Sequence, residues 1–187
     1  MKLVLASKSP RRKEILSMVT TDFSIRVSDA DESYDDKLDL FSVPKLLAQR
    51  KALATQGGEN EIIIGCDTVV IYGGELMGKP KDRVDAIRML WALSGTTHAV
   101  VSGICIHSKE KTISEAVTTY VTFRSLTEGE ICSYVDKFNP TDKAGAYGIQ
   151  EAAGAFVERI EGDFYNVVGL PLCRLCQLLR EEFNIEF

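Results

Sequence analysis

The run Ile62-Ile63-Ile64-Gly65-Cys66 carries no polar side chain and ends on Asp67. Apolar side chains at consecutive strand positions need cover on both faces, which is the habit of a parallel strand held between helices. The run therefore calls for a layered α/β fold. An acid at the C-terminal end of such a strand lies where α/β sheets open their ligand crevice. Asp67 reads either as a metal ligand or general base, or as a turn-initiating acid that caps the bend before Thr68.

The N-terminus supplies a second constraint. Residues 2–6 form a strand, and Ser9-Pro10 opens a helix over 10–20, with Ser9 as N-cap and Pro10 at the first helical position. Ile15, Leu16, Met18 and Val19 give that helix an apolar face. Lys8, Arg11, Arg12 and Lys13 crowd its start. This is the positive end of the helix dipole, where each cation costs roughly 0.3–1 kcal/mol. The pattern suits an anion held by helix N–H groups, the hydroxyls of Ser7 and Ser9, and arginine. The alternative is a solvated basic patch.

The 187-residue chain has a formal net charge of −5, 45% hydrophobic and 26% charged residues. An acidic chain with one basic cluster points to a compact anion and away from polynucleotide. No stretch approaches the roughly 18 apolar residues of a membrane helix, and the N-terminus has no signal-peptide pattern, so cytoplasmic residence is expected. Five cysteines form no regular disulfide framework, and Cys173 and Cys176 read as core thiols of the last helix. With only His98 and His107, a histidine-rich zinc site is not expected.

The remaining chain continues the α/β pattern, with a central sheet and helices on its faces. A strand is expected over 23–28, then an acidic loop with Asp29, Asp31, Glu32, Asp35 and Asp36. A helix from about Pro44 carries Leu46, Leu47, Arg50, Lys51 and Leu53. Residues 67–72 follow the buried run, and Gly73-Gly74 is a two-residue hairpin signal leading back through Glu75-Leu76-Met77. Asp82 caps a helix through about Leu93, with Ala86, Ile87, Leu90 and Trp91 as its apolar face. Two long strands follow over 97–107 and 113–124. Thr127-Glu128-Gly129-Glu130 is a capping box for a helix to about Phe138. Residues 143–170 are glycine-rich, and a last helix spans about 172–183.

Several side chains in these elements could carry chemistry. The acids around Glu32 are either a solvated loop or a source of one or two magnesium ligands, since Mg²⁺ takes few carboxylates beside phosphate oxygens. Lys51 edges an apolar helix face, and Lys79 sits in the tight Gly78-Lys79-Pro80 connection; either is otherwise a surface lysine. Gln150 closes a glycine-rich segment that allows close backbone approach, and its amide suits the edge of a base. No P-loop, dinucleotide fingerprint or nucleophile elbow is present.

Taken together, these segments resemble the Maf family of nucleoside triphosphate pyrophosphatases. Ser7-Lys8-Ser9-Pro10-Arg11-Arg12, Gly65-Cys66-Asp67-Thr68-Val69-Val70, Gly78-Lys79-Pro80, Ser94-Gly95-Thr96-Thr97-His98, Asp142 through Gln150 and Gly169-Leu170-Pro171 follow in the family's order. The resemblance implies one Maf-like domain over 1–187, an elongated mixed α/β sheet with flanking helices in two lobes around a central cleft, often as a homodimer. It implies hydrolysis of a nucleoside triphosphate to monophosphate and pyrophosphate with Mg²⁺ or Mn²⁺. Asp67 falls at the family's general base, and with Glu32 would hold the metal. Ser7, Ser9, Arg12, Lys51 and Lys79 would bind substrate. Arg11, Thr68 and Gln150 mark the branch acting on dTTP and UTP and would read the pyrimidine. Cys66 stands for a usual alanine, Glu151 for a common glycine and Asn166 for a frequent serine. The rival reading is a nucleotide-binding regulator of cell division without significant turnover.

Overall fold

The computed structural model describes residues 1–27 and 29–187. The elements run β1 (Lys2–Ala6), α1 (Pro10–Ser17), β2 (Phe23–Ile25), α2 (Val43–Ala54), β3 (Glu61–Tyr72), β4 (Glu75–Met77), α3 (Arg83–Leu93), β5 (Thr97–His107), β6 (Thr112–Phe123) and α4 (Glu128–Phe138). Short 3-10 turns, β7 (Val157–Glu161), α5 (Phe164–Val168) and α6 (Leu172–Phe183) complete the chain. Among the described residues the strands form one seven-stranded sheet in the order β2-β1-β3-β5-β6-β7, with β4 paired to β3. It is mixed: β1 is parallel to β2 and β3, while β3–β4 and β6–β7 are antiparallel.

Two compact units share the chain. The first comprises Met1–Thr68, Ser102–Val117 and Tyr165–Phe187, the second Val69–Val101 and Thr118–Phe164. The first has a double core, and strand parity sorts it. Leu3, Leu5, Ile62, Ile64, Cys66, Ile104 and Ile106 pack with Ile15 and Leu16 of α1 and with the apolar side of α6. The intervening Val4, Ala6, Ile63 and Cys105 pack with Ala48 and Ala52 of α2. Cover on both faces is why the 62–66 run needs no polar position. In the second unit, His98, Phe123, Tyr147, Phe156 and Tyr134 form a linked cluster of edge-on ring contacts.

Close packing on the α2 side depends on missing side chains. A Cβ on Gly65 would lie 2.2 Å from the Ala48 carbonyl oxygen, and one on Gly103 2.0 Å from that of Pro44. Glycines in β3 and β5 thus let the α2 backbone rest on the sheet.

Some expectations need correction. The helix expected to reach residue 20 ends at Ser17, and its last amides bond to Ile15 and Leu16 in a tightened turn. The strand expected over 23–28 stops at Ile25; Ser28 lies outside the described residues. Met18, Leu53 and Trp91 are exposed rather than core. Cys173 is exposed and Cys176 half-buried, because Leu172, Leu175, Leu178 and Leu179 fill the buried side of α6. The glycine-rich stretch holds the edge strand β7, whose Val-Glu-Arg-Ile-Glu sequence lacks a simple apolar alternation.

Candidate active site

Asp67 neither ends its strand nor caps a bend, because β3 runs on through it to Tyr72. Asp67 and Thr68 are consecutive within β3, so their side chains leave opposite faces of the sheet. Each meets a different helix of the first unit. On the α2 face, Lys51 Nζ donates to Asp67 Oδ1 at 2.5 Å and approaches Glu32 Oε1 at 2.9 Å. The Asp67 and Lys51 side chains are 14% and 19% exposed, that of Glu32 66%, so the cluster opens toward solvent through Glu32. Burial works against the Lys51 charge, but the two carboxylates outweigh it and hold its pKa above the ordinary lysine value. The acidic loop and the buried strand, far apart in sequence, therefore converge on one cation.

On the other face, Arg12 is the hub. Its Nε donates to the Gly169 carbonyl at 2.9 Å, Nη1 to Ser7 Oγ at 3.2 Å and the Cys66 carbonyl at 2.8 Å, and Nη2 to Thr68 Oγ1 at 3.2 Å. The Ser9 amide donates to Ser7 Oγ at 3.2 Å, which turns the chain into α1. Arg12 thus fastens the helix mouth to the segment after β1, to the middle of β3 and to the loop before α6. The Ser9 hydroxyl makes no capping bond, and the first turn holds no acid. Gly169 has φ +130°, a conformation that favours glycine, and its carbonyl also accepts from the Cys66 thiol at 3.1 Å. Burial pushes that thiol's pKa up, so Cys66 is a neutral structural donor.

The structure thus brings Ser7, Arg12 and Thr68 together on one face and Glu32, Lys51 and Asp67 on the other. Arg11 is half-buried on the first turn of α1. Lys79 and Gln150 belong to the second unit, and both are exposed. There the Gly145 amide donates to the Gly78 carbonyl at 3.0 Å, tying the turn of Lys79 to the segment that leads to Gln150.

One polar residue of this neighbourhood escaped the sequence reading. Ser102 is fully buried in β5; its Oγ lies 2.8 Å from Thr68 Oγ1 and donates to the Asn166 carbonyl at 3.1 Å. The available signal was a lone hydroxyl inside the otherwise apolar stretch Ala99–Ile106.

The Maf-like protein family matches residues 2–182. The chain belongs to the Maf family. A dTTP/UTP pyrophosphatase of Clostridium novyi (strain NT) is 50% identical to this Maf protein over 183 residues, covering 95% of this chain and 96% of the relative. Proteins of the same name from Parabacteroides distasonis and Bacillus cytotoxicus are 46% and 44% identical, each over 96% of this chain and 95% of their own length. The Maf-type motifs Ser7–Arg12, Gly65–Val70 and Gly169–Pro171 are the segments that meet around Arg12.

Proposed function

We propose that this Maf protein hydrolyses dTTP or UTP, or a modified pyrimidine nucleotide, to the monophosphate and pyrophosphate. The observation that carries the reading is the carboxylate of Asp67, midway along the buried strand β3, paired with a lysine beside a second carboxylate. The names of the relatives supply the substrate class.

In this reading Asp67 orients or deprotonates the water that attacks the α-phosphorus. Lys51, Lys79, Ser7, Ser9 and the amides of α1 bind the phosphates, and Arg12 holds the helix mouth in shape for them. Arg11, Thr68 and Gln150 read the base. The donor set fits a hard divalent cation. Two carboxylate oxygens already converge on one positive charge, although no group of three or more His, Cys, Asp or Glu is placed to hold a metal among the described residues. Magnesium commonly uses one or two carboxylates and completes its shell with phosphate oxygens and water. Glu32 and Asp67 would hold Mg²⁺ or Mn²⁺, which when bound supplies charge neutralisation at the phosphates.

Asp67→Asn tests the assignment. Pyrophosphate release from UTP should fall by about 10²–10⁴-fold, while calorimetric binding of a non-hydrolysable UTP analogue stays close to that of the unaltered protein. Near-normal turnover would remove Asp67 as base. The same proposal includes one domain, a homodimer and cytoplasmic residence. Among the described residues no helix is long and apolar enough to cross a membrane, and light scattering reads the oligomer directly.

A further inference from the structure

We propose that Ser102 is a positioning residue that sets which way the Thr68 hydroxyl points its proton, and thereby what Thr68 offers to a nucleobase. This inference rests on the reading of Thr68 as a base-reading residue given above. Parity places the two side chains on the same face of neighbouring strands, since Ser102 shares its side of β5 with Ile104 and Ile106, and Thr68 its side of β3 with Ile64 and Cys66.

The hydrogen-bond chain has fixed ends. Arg12 can only donate, and the Asn166 carbonyl can only accept. Between them lie two hydroxyls, each with one proton. Arg12 Nη2 donates to Thr68 Oγ1 at 3.2 Å, and Ser102 Oγ donates to the Asn166 carbonyl at 3.1 Å. The 2.8 Å contact between the hydroxyls is then made by the Thr68 proton pointing at Ser102. The competing arrangement turns the Thr68 proton to the Gly169 carbonyl at 3.3 Å. That contact is longer, and this carbonyl already accepts from Arg12 and Cys66. If Ser102 then donates to Thr68, the Asn166 carbonyl loses its bond from Ser102. The first arrangement makes every short contact in the chain.

Thr68 is half-buried, so part of it faces outward. With its proton spent on Ser102 and one lone pair on Arg12, its hydroxyl has only an acceptor left to offer. Uracil and thymine carry a hydrogen on N3; the neutral cytosine N3 is an acceptor. An acceptor-only Thr68 selects the former and leaves the latter facing another acceptor, an unpaired arrangement of the kind that gives strong discrimination. Removing the Ser102 hydroxyl releases the Thr68 proton and makes Thr68 a donor as well.

The test compares kcat/KM for pyrophosphate release from UTP and CTP. The unaltered protein should prefer UTP. Ser102→Ala should lower the UTP/CTP ratio by about tenfold, within the range left by one mispaired buried polar group. Ser102→Thr, which keeps a hydroxyl, should restore the ratio. Thr68→Val should lower it as well, and the double variant no further than Thr68→Val alone, because the serine acts through the threonine. If Ser102→Ala does not fold, Ser102→Cys, a near-isosteric weak donor, takes its place. An unchanged ratio in the serine variant while Thr68→Val loses it, or effects that simply multiply in the double variant, overturns the role of Ser102 alone. Equal use of UTP and CTP by the unaltered protein overturns the uracil-specific reading and this inference with it.

Discussion

Charged side chains can be kept in half-buried places only when partners repay their lost hydration. Lys51 does this with Asp67 and Glu32. Its folded pKa is raised, so the stabilisation is complete below the ordinary lysine value of 10.5 and is lost as pH rises through the higher folded value. His98 shows the opposite case. It is 2% exposed, its Nε2 lies 2.8 Å from the Tyr147 hydroxyl, and its Nδ1 is buried without a hydrogen-bond partner among the described residues. Burial brings its pKa down to about 4, so the folded ring stays neutral where the unfolded chain takes up a proton near 6.5. Its stabilisation is complete above about 6.5 and is lost as pH falls toward 4. Urea unfolding should show the protein losing about 2 kcal/mol more than His98→Phe between pH 7 and pH 5.

At the level of elements, α2 positions Lys51, and the glycines of β3 and β5 position α2. Gly65 and Gly103 have backbone atoms of α2 where a Cβ would stand. Backbone cannot swing aside as a flexible side chain does, so the helix itself must move. Gly65→Ala should destabilise the protein by about 1–3 kcal/mol in urea unfolding, the usual range for overpacking a filled core. It should also weaken turnover, since Lys51 stands one helical turn beyond Leu47 and Ala48 on the displaced helix. On the opposite face of the sheet, Arg12 plays the equivalent part for α1 through bonds to Cys66 and Gly169, whose carbonyls no side-chain pattern advertises.

For the whole molecule, neither unit is a continuous piece of chain. The first is built from three segments, the second from two, and β3, β5 and β6 each run from one unit into the other. A cut or local unfolding in one unit therefore releases strands that belong to both. Urea unfolding followed by Trp91 fluorescence and by far-ultraviolet dichroism should give coincident single transitions; two separated midpoints would show that the units unfold independently. Much of this architecture was legible from local pattern. The apolar run at 62–66, the capping box at Thr127, completed by Glu130, and the leucine spacing of α6 each fix an element by nearest-neighbour chemistry. The segment over 157–161 was not, because β7 draws its order from pairing with β6 and carries little apolar alternation of its own. Sequence by itself determined the α/β class, the residue types needed for phosphate chemistry and the motif order of the Maf family. Tertiary structure alone decided that Asp67 and Thr68 serve opposite faces, that Lys51 sits between two acids, that Arg12 spends most of its donors on the protein, and that Ser102 stands behind Thr68. The physical reason is that hydrogen bonds and ion pairs act over about 3 Å, a distance fixed by strand parity and helix packing rather than by separation along the chain.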